Sequence, residues 1–236
     1  MKYLQVLSFA CVSTILLASC GKNYSRMNQN ESLDWQKKAE ANPTGTWRKK
    51  CDPGLHNGRG EDRSFRFENG RYYEETTSYK AGCKDIEFAF KIEGTYKVEG
   101  PSKSAKDFSY SDNNVVLNDA GDAYDLDIEI SLYRVIHEDI PKDLDMFRKA
   151  CASARYDEIT RELEIDPKNC DFEGFAENKF TVYRTDGNTI NFGFYLGNME
   201  EFNPKGGSTR ELRGNVLFPA RHPDVLTRTE VLPSPK

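Results

Sequence analysis

Carboxylates are the most abundant chemistry-bearing side chains in this sequence. Asp119, Asp122, Asp125 and Asp127 crowd into one short stretch. Oxygens at that density suit a calcium ion, but the calcium loop of a helix-loop-helix site needs ligands at alternating positions and a glycine at the sixth. Asp119-Ala120-Gly121-Asp122-Ala123-Tyr124 does not fit. Asp125 and Asp127 share the polar side of an alternating run, where a hydrated carboxylate needs no partner. No metal is therefore expected. His56, His137 and His222 are scattered, and neither H-E-x-x-H nor G-x-S-x-G occurs. The sequence offers no catalytic residue and no cofactor site, and it reads as a non-enzyme. Tyr72, Tyr73, Tyr79, Tyr96 and Tyr195 suit a ligand cup or a packed core equally.

Six cysteines divide by position. Cys11 lies in a stretch that reads as a secretory signal peptide over residues 1–19. Lys2 supplies the charge, Leu4 to Leu17 the apolar run, and Ala18 and Ser19 the small residues. The run is too short to cross a bilayer. Leu17-Ala18-Ser19-Cys20 resembles the lipobox of bacterial lipoproteins. That resemblance implies cleavage before Cys20, a diacylglyceryl group on its sulfur and acylation, for example by palmitate, of the new amine. Two or more acyl chains, at about 0.8 kcal/mol per buried CH₂, would anchor the protein in a membrane. Gly21 rather than Asp follows, which by resemblance to the sorting rule of enteric bacteria favours the outer membrane of the cell envelope. Cys51, Cys83, Cys151 and Cys170 remain, an even number in an oxidising compartment. Of three connectivities, the local pairs Cys51–Cys83 and Cys151–Cys170 are preferred because short loops close most easily. Each would stabilise by about 3–4 kcal/mol in the chain-entropy model. No C-x₂-C spacing supports zinc.

Removing residues 1–19 takes away only one charged group, Lys2, so 32 basic groups face 38 acidic ones and the formal charge moves from −5 to −6. A nucleic-acid binder would want a basic stripe instead. Residues 20–43 are polar and read as a tether with a short helix near Glu31–Ala41. Residues 223–236 carry three prolines and read as a flexible tail. Between them, residues 44–222 read as one β domain. Thr44–Cys51 opens it. Phe65 and Phe67 alternate before the turn Asn69-Gly70, and Arg71–Tyr79 returns. Ile86, Phe88, Phe90, Ile92, Tyr96 and Val98 share one face of the next run, with Gly94 where a long strand would bend. Tyr124 to Leu132 alternates likewise. Glu158–Asp166 is a weaker strand, Lys179–Arg184 and Asn188–Tyr195 flank the turn Asp186-Gly187, and Leu212–Arg221 closes the domain. Asp139–Cys151 places Leu144, Phe147 and Cys151 at helical spacing. An all-β, antiparallel barrel of eight or nine strands with one short inserted helix is expected, because closure removes unpaired edges. A two-sheet sandwich is the alternative.

Gly45-Thr46-Trp47 at the first strand resembles the G-x-W of the lipocalins. The layout from there through Cys51, Phe65 to Tyr79, Cys83 and Gly94-Thr95-Tyr96 is similar to bacterial lipocalin-like lipoproteins. It is more distantly similar to the lipid-binding barrels of the adenomatosis-polyposis-coli down-regulated family. The T-D-Y motif of classical lipocalins is absent; Thr185-Asp186-Gly187 is a turn. The resemblance implies that Trp47 plugs the closed end of the barrel and that an Arg of the last strand, Arg213 or Arg221, packs over it. It also implies an envelope-anchored protein that binds a small apolar or amphipathic ligand, with Phe88, Phe90, Phe192 and Phe194 as lining candidates. The alternative is a packed barrel that serves as an interaction module for another envelope protein.

Overall fold

The computed structural model describes residues 42–51, 60–80, 82–111, 114–171, 175–194, 214–217 and 225–230. The expected signal peptide, Cys20, the helix near Glu31–Ala41, His56, His222, Arg213 and Arg221 lie outside the described residues. The elements are β1 (Gly45–Lys49), β2 (Gly60–Glu68), β3 (Arg71–Tyr79), β4 (Ile86–Pro101), β5 (Lys106–Ser111), β6 (Asn114–Asp119) and β7 (Tyr124–Ile136). After them come α1 (Ile140–Ala150), β8 (Arg155–Asp157), β9 (Glu162–Ile165), β10 (Asn178–Thr185), β11 (Thr189–Phe192), β12 (Val216–Leu217) and β13 (Leu226–Glu230).

Eight strands follow one another in the order β10-β11-β13-β1-β2-β3-β4-β7, and β7 pairs again with β10, so the sheet closes on itself. This is the antiparallel, lipocalin-like barrel with one short helix that the alternation implies, and closure removes the sandwich alternative. The β9–β8 hairpin extends from β7, and a second sheet runs β12-β5-β6. The turn at Asn69-Gly70 has φ of 50° and 74°, the left-handed pair a tight hairpin turn requires.

Two compact units emerge from the contacts, and β4 and β7 each run from one into the other. One comprises the described residues within Thr44–Tyr96, Ile128–Glu177 and from Leu226 onward. Its strands bury Trp47, Phe65, Phe67, Tyr72 and Ile92, and α1 buries Ile140 and Phe147. Pro141 occupies the first turn of α1, where its missing N–H costs nothing, and Arg148 and Lys149 sit in the last turn, where cations favour the helix dipole. Both expected disulfides are present here, Cys51–Cys83 and Cys151–Cys170. The other unit comprises the described residues within Lys97–Asp127 and Asn178–Val225. Ala105, Ala120, Ala123, Val182 and Leu217 form its apolar cluster.

Four readings need correction. Leu226–Glu230, inside the expected tail, is strand β13 and pairs with β1. Within Leu212–Arg221, expected to close the domain, the described strand is Val216–Leu217, which runs parallel to β5 in the second sheet rather than in the barrel. Glu158–Asp166 is not one strand, because the Asp157 carboxylate accepts the N–H groups of Ile159 and Thr160 and turns the chain between β8 and β9. Asp122 is not solvated, for the reason given below.

Candidate functional site

Cross-strand partners share a face, so the registers of β1 to β4 stack their inward residues into layers. Gly45, Phe67, Tyr72 and Gly94 form the first layer; Trp47, Phe65, Glu74 and Ile92 form the second. Lys49, Arg63, Thr76 and Phe90 form the third, and Glu61, Ser78 and Phe88 the fourth. All eight residues of the first two layers are buried. In the third only Thr76 is buried, and in the fourth none is. Beyond them, Ile86 at the start of β4 is 60% exposed. Burial thus falls steadily along the inward face, from Trp47 at one end toward Phe88 and Ile86 at the other.

The closed end is built around Trp47, which is fully buried. The Arg228 guanidinium lies over its ring, 5.1 Å from Cζ to the centroid, and Nη2 donates to the Thr44 carbonyl at 2.6 Å. Among the described residues, the Arg that lies over Trp47 is Arg228 of β13; the expected Arg213 and Arg221 lie outside them. Gly45 is required for this geometry. Its φ of 139° suits glycine, and a Cβ there would lie 2.9 Å from Arg228 Nε. Gly94 serves a similar end, since its Cβ would sit 2.2 Å from the Glu129 carbonyl oxygen. The glycine lets β7 approach β4 closely rather than marking a simple bend.

In the first layer, Phe67 packs on Tyr72 at 5.3 Å and edge-on to Tyr96 at 5.0 Å between ring centroids. The Tyr72 hydroxyl donates to Glu74 Oε2 at 2.5 Å inside the barrel. Burial, then the neighbouring Glu74 charge, push the Tyr72 phenol well above its usual value. The Thr76 Oγ1 is buried with no hydrogen-bond partner among the described residues. Arg63 is held in the upper layers by Glu61, at 2.7 Å from Nε to Oε2.

The four lining candidates fall in two places. Phe88 and Phe90 occupy the upper layers, half-buried and stacked at 6.2 Å with rings 11° apart. Phe192 and Phe194 are half-buried in the other unit, where Phe194 meets Phe108 edge-on at 6.0 Å. In that unit a charged cluster stands where a solvated face was expected. Arg184 of β10 is buried, with Nη2 at 2.9 Å from Asp107 and 2.6 Å from Asp122. The Asp122 approach is an ionic contact without hydrogen-bond alignment. Burial raises the Asp107 carboxyl above its usual range; Arg184 opposes the shift and the Asp122 charge adds to it. The signal for Arg184 was present in the sequence: it shares a strand face with Val182, and a cation beside a core valine implies a buried partner. Asp125 and Asp127 are half-buried. His137 Nδ1 accepts the Asp139 backbone N–H at 3.1 Å.

No protein-family model and no curated protein matches this chain.

Proposed function

We propose that the protein is an envelope lipoprotein, anchored through Cys20, whose barrel receives a small amphipathic molecule at the end away from Trp47. The observation that carries this reading is the layered loss of burial on β1 to β4. A barrel filled from end to end would bury its third and fourth inward layers as it buries the first two. Here Phe88 and Phe90 keep accessible ring surface beside Lys49, Arg63 and Glu61. Apolar rings next to charged groups suit a ligand with both a hydrocarbon part and a polar head. Burial of the hydrocarbon would drive binding at about 25 cal/mol per Å². The reaction is non-covalent, without a catalytic residue or cofactor. The resemblance to lipocalin-like lipoproteins and to the sorting rule supports the outer membrane as the site of action.

A fluorescent fatty-acid probe tests this. Phe90→Ala should weaken probe uptake while shifting the urea midpoint only slightly, because Phe90 is only half-buried. A core phenylalanine would instead lose about 3–5 kcal/mol. Absence of probe binding by the wild type, together with a core-sized loss at Phe90, would sink the carrier reading and promote the packed interaction module, which the fully buried lower layers favour.

A further inference from the structure

The hairpin β5–β6 leaves one strand of the second sheet without a partner. β6 pairs with β5 along its whole length, from Asn114 opposite Ser111 to Asp119 opposite Lys106. Its other edge pairs with no strand among the described residues. An open edge normally carries a lysine, a proline or a bulge that discourages pairing with another chain. β6 reads Asn-Val-Val-Leu-Asn-Asp, with none of these and with an unbroken register. Val115 is 50% exposed and Leu117 44%.

The backbone of this edge is set up for a further strand. The Lys106 N–H donates outward to the Asn215 carbonyl at 2.8 Å, while the Ala120 N–H donates to the Ala105 carbonyl at 3.0 Å. Lys106 and Asp119 are therefore a non-hydrogen-bonded pair. Alternation in an antiparallel ladder then directs Asn114, Val116 and Asn118 toward β5, and turns the N–H and C=O groups of Val115 and Leu117 to the open edge. These are the two residues with the exposed apolar side chains.

We propose that a second copy of this chain pairs with β6 about a two-fold axis at Val116, joining the two three-stranded sheets into one. In that register Val115 lies opposite Leu117 of the copy, Leu117 opposite Val115, and Val116 opposite itself. Both outward-facing residues exchange backbone hydrogen bonds, and four apolar side chains form one stripe across the axis. Asn114 meets Asn118. Asp119, the one charge on the strand, falls beyond the paired residues, and Lys106 already neutralises it through an ion pair. No carboxylate meets a carboxylate, although the whole chain is acidic. Moving the axis by one residue places Val115 opposite Asp119 or leaves Leu117 opposite a residue beyond the strand, so the register centred on Val116 is the one that pairs both apolar residues.

Sedimentation velocity of the full chain in density-matched detergent should show a concentration-dependent monomer–dimer equilibrium. Leu117→Lys should weaken the dimer by at least about tenfold, since a lysine on an exposed edge blocks pairing. The thermal midpoint of the monomer should be unchanged, because Leu117 is largely exposed. Val116→Cys should form a disulfide between copies under mild oxidation, as facing residues of a non-hydrogen-bonded pair lie about 4.5 Å apart at Cα. A monomer at every concentration, or a dimer that survives Leu117→Lys and yields no cross-link at 116, would overturn the proposal.

Discussion

Two buried polar residues, Glu74 and Arg184, make opposite demands on their neighbours. Glu74 accepts the Tyr72 hydroxyl inside the barrel. Tyr72→Phe should cost about 1–3 kcal/mol, read from urea unfolding, because a charged acceptor loses a buried donor. The same contact fixes a pH dependence. The folded protein holds the Tyr72 proton above the pH, about 10, at which the unfolded chain releases it. That contribution to stability is present below about pH 10 and is lost as the pH rises further, and Tyr72→Phe should flatten the alkaline decline. In the second unit, Arg184→Met strands two carboxylates and should cost about 3–5 kcal/mol. Asp107→Asn should cost less than Arg184→Met, because burial and the Asp122 charge together outweigh the pull of Arg184 on the Asp107 carboxylate. Equal losses in the two variants would show that pairing outweighs burial. Neither residue was singled out from the sequence. Tyr72, Glu74 and Thr76 lie in a strand with little apolar alternation, so nothing there marks the inward face. Trp47 was legible from its motif, but its cover Arg228 was not, since that residue sits among prolines that obscure the strand around it.

At the scale of elements, the long alternating runs were readable and the short ones were not. β4 and β7 carry enough period-two pattern to declare themselves, and Asn69-Gly70 fixes the hairpin between β2 and β3. β5 and β6 are six residues each, at least half polar, and too short to show a period. β13 has five residues, and Pro223 and Pro233 flank it at close range. Its existence rests on pairing with β1 rather than on any local preference, which is why composition suggested a tail. A chain ending at residue 222 should therefore fail to form the barrel. It loses β13, the partner of one edge of β1, and leaves Trp47 uncovered. One ending at residue 230 should retain cooperative thermal unfolding and the near-ultraviolet dichroism of buried aromatics. If the shorter chain unfolds as cooperatively as the longer one, β13 is dispensable and the closure described here is not what stabilises the protein.

For the molecule as a whole, address and architecture are separable. Cys20→Ala should leave the barrel intact and abolish partition into detergent; unchanged partition and processing would show that Cys20 is not the acyl site. The architecture adds a constraint in time. β1 is among the first barrel strands to be made, yet the Arg228 that covers Trp47 lies 184 residues beyond the Thr44 carbonyl it binds. A chain synthesised from its N-terminus delivers β1 early and must hold it without this partner until β13 emerges. The barrel thus closes only after β13 has been made. Until then, β1 has β2 on one side and offers a bare edge on the other, the kind of edge that invites pairing with another strand. Closure of the barrel is in this way tied to the arrival of β13, the strand that carries the cover of Trp47.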